Sequence, residues 1–187
     1  MVDNRKKIYL AITQTGTILS RIVKFVTRDK YNHVSIATTE NLDDLYSFGR
    51  KNPYNIFLAG FVKETPTTGT FARFKKTDSV VLEIPVSDGA FEAISTELSY
   101  MYEHKKDYHY NYIGLFAAYF GKRRIKKNTY YCSEFVQYIL SKHGLGLKKS
   151  ASELVCPNDF INVPNGHIIY TGKLREYNEV RKKENAF

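Results

Sequence analysis

The sequence predicts an α+β fold, an antiparallel sheet with helices packed against it. Three observations carry that expectation. Short β-branched runs of strand length fill much of the first half of the chain, whereas helical periods dominate from about residue 90 onward. This segregation is what an antiparallel sheet with its own helical layer produces. At 187 residues, with 43% hydrophobic and 25% charged side chains, there is enough apolar chain for one sizeable core, and residues 1–187 read as a single domain.

Residues 7–13 (Lys-Ile-Tyr-Leu-Ala-Ile-Thr) read as a buried strand. Thr15, Gly16 and Thr17 make a turn and cap, after which Ile18, Leu19, Ile22, Val23 and Val26 fall on one helix face. Residues 31–38 alternate as a second strand, with His33, Ser35 and Ala37 on one face and Val34 and Ile36 on the other. The small residues beside His33 make its face the expected seat for a thiol-bearing helix end. Residues 40–44 have turn chemistry and 45–49 form a third strand, so 33–49 read as a hairpin. Residues 52–70, which include Pro53, Gly60, Pro66 and Gly69, are expected to be irregular; residues 71–74 and 79–86 supply two more strands.

Ser87 and Asp88 cap a helix over 90–104, with Phe91, Ile94, Leu98 and Met101 as its inner stripe. A second apolar helix spans 113–120 and stops at Gly121. In a third, Cys132, Phe135, Val136, Ile139 and Leu140 share the buried face, while Ser133, Gln137, Ser141 and Lys142 lie mostly on the other. Gly144 and Gly146 end it. Residues 150–162 form a loop with a short helix broken by Pro157, residues 167–172 make a last strand, and the charged tail from about 173 frays.

Composition narrows the function. No apolar run is long enough for a membrane span, and the short run from Ile8 to Ile12 is too polar-flanked for a signal peptide. Two cysteines, Cys132 and Cys156, make neither a disulfide framework nor a zinc-site spacing, so a reduced, cytoplasmic protein without metal or cofactor is expected. The net charge of +9 is dispersed except in residues 122–127, Lys-Arg-Arg-Ile-Lys-Lys. That loop is a solvated turn or a contact for an anionic substrate or membrane surface. Without a nucleic-acid motif beside it, nucleic-acid binding is the weakest of the readings.

The chemistry centres on Cys132. A thiol in the first turn of a helix sits among unpaired N–H groups at the positive end of the macrodipole, which favours thiolate. The plain alternative is a small buried hydrophobe. A histidine distant in sequence completes the minimum for acyl transfer, taking the thiol proton and returning it to the leaving group. His104, His109 and His143 lie on or beside polar helix ends, and His167 opens a strand; His33 is preferred for its small strand neighbours and unclaimed face.

Residues 31–36 (Tyr-Asn-His-Val-Ser-Ile) and 130–136 (Tyr-Tyr-Cys-Ser-Glu-Phe-Val) together resemble the two signatures of the circularly permuted branch of the NlpC-type, papain-like superfamily. That branch holds the YiiX/YaeF-like group and, more remotely, lecithin retinol acyltransferase relatives. Tyr110-Asn111-Tyr112 and Pro157-Asn158-Asp159-Phe160 are similar too, and the resemblance spans roughly residues 8–172. It implies a permuted papain-like core, Cys132 as nucleophile and His33 as general base. Its third member belongs on the next strand, where Ser47 is the nearest match; Glu40, Asp44 or a backbone carbonyl are the alternatives. The Cys132 N–H would meet the oxyanion, with Tyr110, Tyr131 and Ser35 as candidate oxyanion or substrate-lining residues. Glu134 is expected to serve the helix N-terminus rather than the reaction.

The expected activity is hydrolysis of an amide or ester bond through a thioester, on a small amide, peptide or lipid-like substrate. A lipid-type acyltransferase on the same dyad and a binding module with a decayed triad are the alternatives.

Overall fold

The computed structural model describes residues 5–15, 29–52, 54–119, 126–149 and 154–184. The helix expected over 18–26, the stop at Gly121 and most of the basic loop lie outside them; Lys126 and Lys127 are described and exposed. The strands are β1 (Lys6–Gln14), β2 (His33–Ala37), β3 (Leu45–Asn52), β4 (Asn55–Glu64), β5 (Asp78–Val86), β6 (His109–Tyr110), β7 (Thr129–Tyr130) and β8 (His167–Lys173). The helices are α1 (Gly69–Arg73), α2 (Asp88–Glu103), α3 (Tyr112–Tyr119), α4 (Cys132–Lys142) and α5 (Tyr177–Glu184), with 3-10 turns at Pro157–Asn162 and Leu174–Glu176.

The strands form one sheet in the order β7-β6-β4-β3-β2-β1-β5-β8. Its pairings are antiparallel, apart from the short parallel pair β6–β7. Alternation along the strands sorts the side chains onto two faces. Ile8, Leu10, Ile12, Val34, Ile36, Phe48 and Leu82 pack with Ile94, Leu98 and Met101 of α2 and Phe135, Val136, Ile139 and Leu140 of α4. Tyr9, Ala11, Ala37, Leu45 and Val81 are covered by Phe71 of α1 and by Leu174 and Tyr177 near the C-terminus. The ring of Phe135 lies 5.4 Å from that of Phe48 and 5.2 Å from that of Phe61, pinning α4 over β3 and β4. Such pairs add about 0.5–1.5 kcal/mol each beyond their buried area.

Several elements depart from expectation. Residues expected to be irregular include β4, a long strand whose Phe61 and Glu64 are buried. Its Gly60 faces Gly49 across the β3–β4 ladder, so this glycine lies within a strand. Residues 71–74 do not form a strand. Gly69, at φ +57, starts α1, and the Glu64 carboxylate accepts the Thr70 N–H. A Cβ at Gly69 would fall 2.1 Å from Glu64 Oε1, so the position needs glycine for space as well as for φ. Pro157 opens its 3-10 turn, where its missing N–H costs nothing. The tail is not frayed through 184: Leu174 and Tyr177 are buried, and Tyr177 Oη donates to Glu40 O at 2.9 Å. Ser133 is buried on α4, where the periodicity assigned it to the polar side.

Candidate active site

The start of α4 is held from two directions. Tyr131 is the extended N-cap, and the Phe135 N–H donates to its carbonyl at 3.0 Å. Glu134 reaches back to accept the Tyr131 N–H at 3.4 Å and also accepts from Asn111 Nδ2 at 3.2 Å. Asn111 Oδ1 accepts the Gly114 N–H at 2.8 Å, so one Asn–Glu contact ties the beginnings of α3 and α4 together. Ser133 Oγ donates to Val155 O at 2.6 Å and draws the segment before the 3-10 turn onto the first turn of α4. Cys132 is thereby fixed as the first helical residue, and Glu134 serves the cap as expected.

The sheet is open beneath that thiol. Among the described residues, β2 and β3 are in register at Ile36↔Tyr46 alone. Toward His33 the strands part, and Val34, which lies opposite Ile12 of β1, turns its polar backbone groups into the gap. Ser47 Oγ donates to Val34 O at 2.8 Å, and the Val34 N–H donates to the Cys132 sulfur. Two side chains thus satisfy the backbone where a partner strand otherwise would.

Burial pushes the Cys132 thiol up to about 11, outweighing the N–H groups of Val34, Ser133 and Cys132 itself, which act the other way. The helix-end effect expected to favour thiolate is present but smaller than the desolvation of the charge. Cys156, half-buried, is also pushed up to about 11, by burial first and then by Asp159 and Asp29.

His33 is half-buried and pushed down to about 4 by burial, so its imidazole is neutral at neutral pH. Its Nε2 lies 3.3 Å from Ser35 Oγ, its ring centroid is 6.5 Å from that of Phe71, and a Cβ on Gly49 would sit 3.6 Å from its Cε1. These contacts place the imidazole on the face covered by α1. The expectation that α4 packs on the His33, Ser35 and Ala37 face is therefore corrected: α4 covers the Val34 and Ile36 face. The apolar stripe of α4 needs an apolar floor, which the small, polar His33 face does not offer. Thiol and imidazole approach the β2–β3 opening from opposite sides, meeting at the His33–Val34 peptide. Among the described residues no hydrogen bond joins them directly.

The remaining expected residues divide. Ser47, sought as a third member, has its hydroxyl hydrogen on Val34 O, and Ser35 is the residue beside the imidazole nitrogen. Asp44 closes the β2–β3 turn by accepting from the Thr38 and Thr39 N–H groups, and Glu40 pairs with Arg181 Nη2 at 2.7 Å. Neither reaches His33. Tyr110 and Tyr131 both lie beside Cys132. The Tyr110 phenol is pushed well above its ordinary value by burial, then by Cys132, Tyr112 and Tyr131. His167 is exposed on edge strand β8, and His104, His109 and His143 are engaged or exposed away from the thiol. Arg50, which sequence reasoning passed over, joins the site through Tyr110. Its signal was a cation two positions beyond Phe48, on the inward parity of β3.

No protein-family model matches the sequence, and no curated protein matches it. The fold is similar to the crystal structure of YiiX from Escherichia coli O157:H7, described as a metalloprotein and DUF1105, at a TM-score of 0.55. Identity is 14%, over 90% of this chain and 98% of that one, so the likeness is one of fold. Among the described residues no helix is long and apolar enough to cross a membrane.

Proposed function

We propose that this protein is a thiol-dependent hydrolase of amide or ester bonds, with a permuted papain-like core, Cys132 as nucleophile and His33 as its base. The observation that carries the reading is the sulfur at the first residue of α4, accepting the N–H of the peptide that links His33 to Val34. Thiol and imidazole both rest neutral, and with the thiol at about 11 and the imidazole at about 4 the proton moves only as sulfur bonds to the acyl carbon. For proton transfer the imidazole leaves Ser35 and turns across the β2–β3 opening, where Gly49 presents no side chain to block it. The thiol proton passes to the imidazole as sulfur adds to the acyl carbon. The imidazolium then returns it to the departing amine or alkoxide, leaving a thioester that water cleaves with His33 again as base. The Cys132 N–H is the nearest donor for the oxyanion.

A second reading has its own support. Ser47 and Cys132 both serve Val34, so the cysteine is also explained as a structural partner in a non-enzymatic binding module. YiiX is described as a metalloprotein. Among the described residues no three His, Cys, Asp or Glu side chains converge, and His33 is flanked by Ser35, Phe71 and Gly49.

Labelling with electrophilic amide and ester probes, followed by mapping of the modified residue, separates the two. The hydrolase reading expects adducts on Cys132 far ahead of Cys156, and labelling that drops at least about 100-fold in His33→Ala with the fold intact. Equal, slow modification of both thiols would leave the binding module standing.

A further inference from the structure

Arg50 ends the ordered part of the β3–β4 ladder opposite Ala59, at the same parity as Phe48. Its side chain is half-buried, and Nη2 is shielded from solvent with no hydrogen-bond partner. Among the described residues Arg50 has no ion pair or hydrogen bond. Its charged neighbour is another cation, Arg73, whose guanidinium carbon lies 4.2 Å from the centroid of the Tyr54 ring and 5.4 Å from that of Phe74. The other titratable groups that act on Arg50 are the phenols of Tyr110 and Tyr112, whose rings are 4.6 Å apart; the Tyr112 oxygen accepts from the Ala59 backbone and keeps its own O–H to donate. Burial holds both phenols above their ordinary value, so they are neutral dipoles and offer Arg50 no countercharge.

A half-buried guanidinium close to a second cation, with one shielded nitrogen unbonded, is the condition that an oxyanion relieves. The planar fork suits carboxylate or phosphate, and neutral phenols complete such a cradle by donating O–H. The sheet register fixes where the cradle lies: Arg50 pairs with Ala59, and the adjoining Gly60 pairs with His109, so Arg50 and Tyr110 flank Ala59 from the two sides, and the phenol of Tyr110 also feels the Cys132 sulfur.

We propose that Arg50, with Arg73 beside it and the Tyr110 and Tyr112 hydroxyls around it, forms an oxyanion subsite for the carboxylate or phosphate of a ligand bound next to Cys132. Calling that ligand a substrate rests on the hydrolase reading; the binding itself does not.

The test follows the arginine Nε–Hε resonances of the whole protein by NMR. Inorganic phosphate and acetate are titrated separately at constant ionic strength, with chloride as the control. The Arg50 resonance is expected to shift saturably with at least one of the two and not with chloride. Read on the Arg73 resonance, Arg50→Gln weakens the apparent affinity at least tenfold, Arg50→Lys weakens it less, and Lys126→Gln leaves it unchanged. Saturation by phosphate alone assigns a phosphate-bearing ligand, and by acetate alone a carboxylate. An Arg50 resonance unmoved by both anions, or unaltered affinity in both Arg50 variants, overturns the subsite. Because nothing is turned over, failure of the thiol chemistry and failure of this subsite are read separately.

Discussion

Two ladders of the same sheet behave in opposite ways. Between β1 and β5 the register runs unbroken from Lys6↔Val86 to Gln14↔Asp78, so backbone faces backbone along the whole ladder. Between β2 and β3 it holds at Ile36↔Tyr46 and then opens, and side chains take over: Ser47 for the Val34 carbonyl, Cys132 for its N–H. In the closed ladder a side chain has only to pack. In the open one it meets polar backbone in a dry interior, which is where a thiol and an imidazole can be held close to a reacting group. The comparison teaches that the candidate chemistry sits where one ladder of the sheet opens.

The largest effect tests what keeps that gap in place. Phe135→Ala removes the ring wedged between Phe48 and Phe61, and the expected loss is about 3–5 kcal/mol in chemical denaturation. Leu10→Ala, in the closed part of the core, is expected to lose about 2–5 kcal/mol. The two should differ in the folded protein. Cys132 alkylation accelerates in Phe135→Ala, where α4 loosens, and is unchanged in Leu10→Ala.

Next comes pH. The unfolded histidine takes its proton near its ordinary 6.5, while the folded His33 does so only at about 4. Between those values the unfolded state binds more protons, so stability falls as pH drops through the window and this contribution is flat below it. The shift corresponds to at most about 3 kcal/mol. Carboxylates titrate in the same range, so the measurement is the difference between wild type and His33→Gln. The variant should lose less stability from pH 6.5 to 4; parallel curves would mean that His33 is solvated.

Much of this arrangement was legible in the sequence. Periodicity located β2, β5, the Ser87-capped α2 and the Cys132 helix, because each has one buried stripe against one polar one. It also tells which residues share a face, but not which layer covers that face, so α4 was assigned to the wrong side of β2. Pro53, Gly60 and Pro66 concealed β4, a strand sustained by its two neighbours more than by its own composition. Residues 71–74 read as a strand, whereas a glycine φ and the Glu64 carboxylate make α1 helical. Ser47 was recognised as important for the wrong partner: a strand serine signals a hydroxyl, and only the parted ladder shows that a carbonyl claims it.

A pair of serine variants gives the smallest expected effects, and Ser47→Ala bears most directly on the gap. The hydroxyl is fully buried and donates to Val34 O at 2.8 Å, so its removal leaves a dry carbonyl without that partner. The expected cost is about 1–3 kcal/mol. The same peptide strand carries the N–H that holds the sulfur, so loosening Val34 also loosens Cys132, and thiol alkylation should quicken severalfold. Ser87→Ala supplies the contrast. It removes the exposed Ser87 Oγ acceptor of the Ala90 N–H and loses a similar amount, about 0.5–2 kcal/mol, at a helix end remote from the thiol. If both variants lose stability but neither alters alkylation, Ser47 acts as an ordinary buried hydrogen bond. If Ser47→Ala alone quickens it, the hydroxyl holds the opening in which the thiol is set.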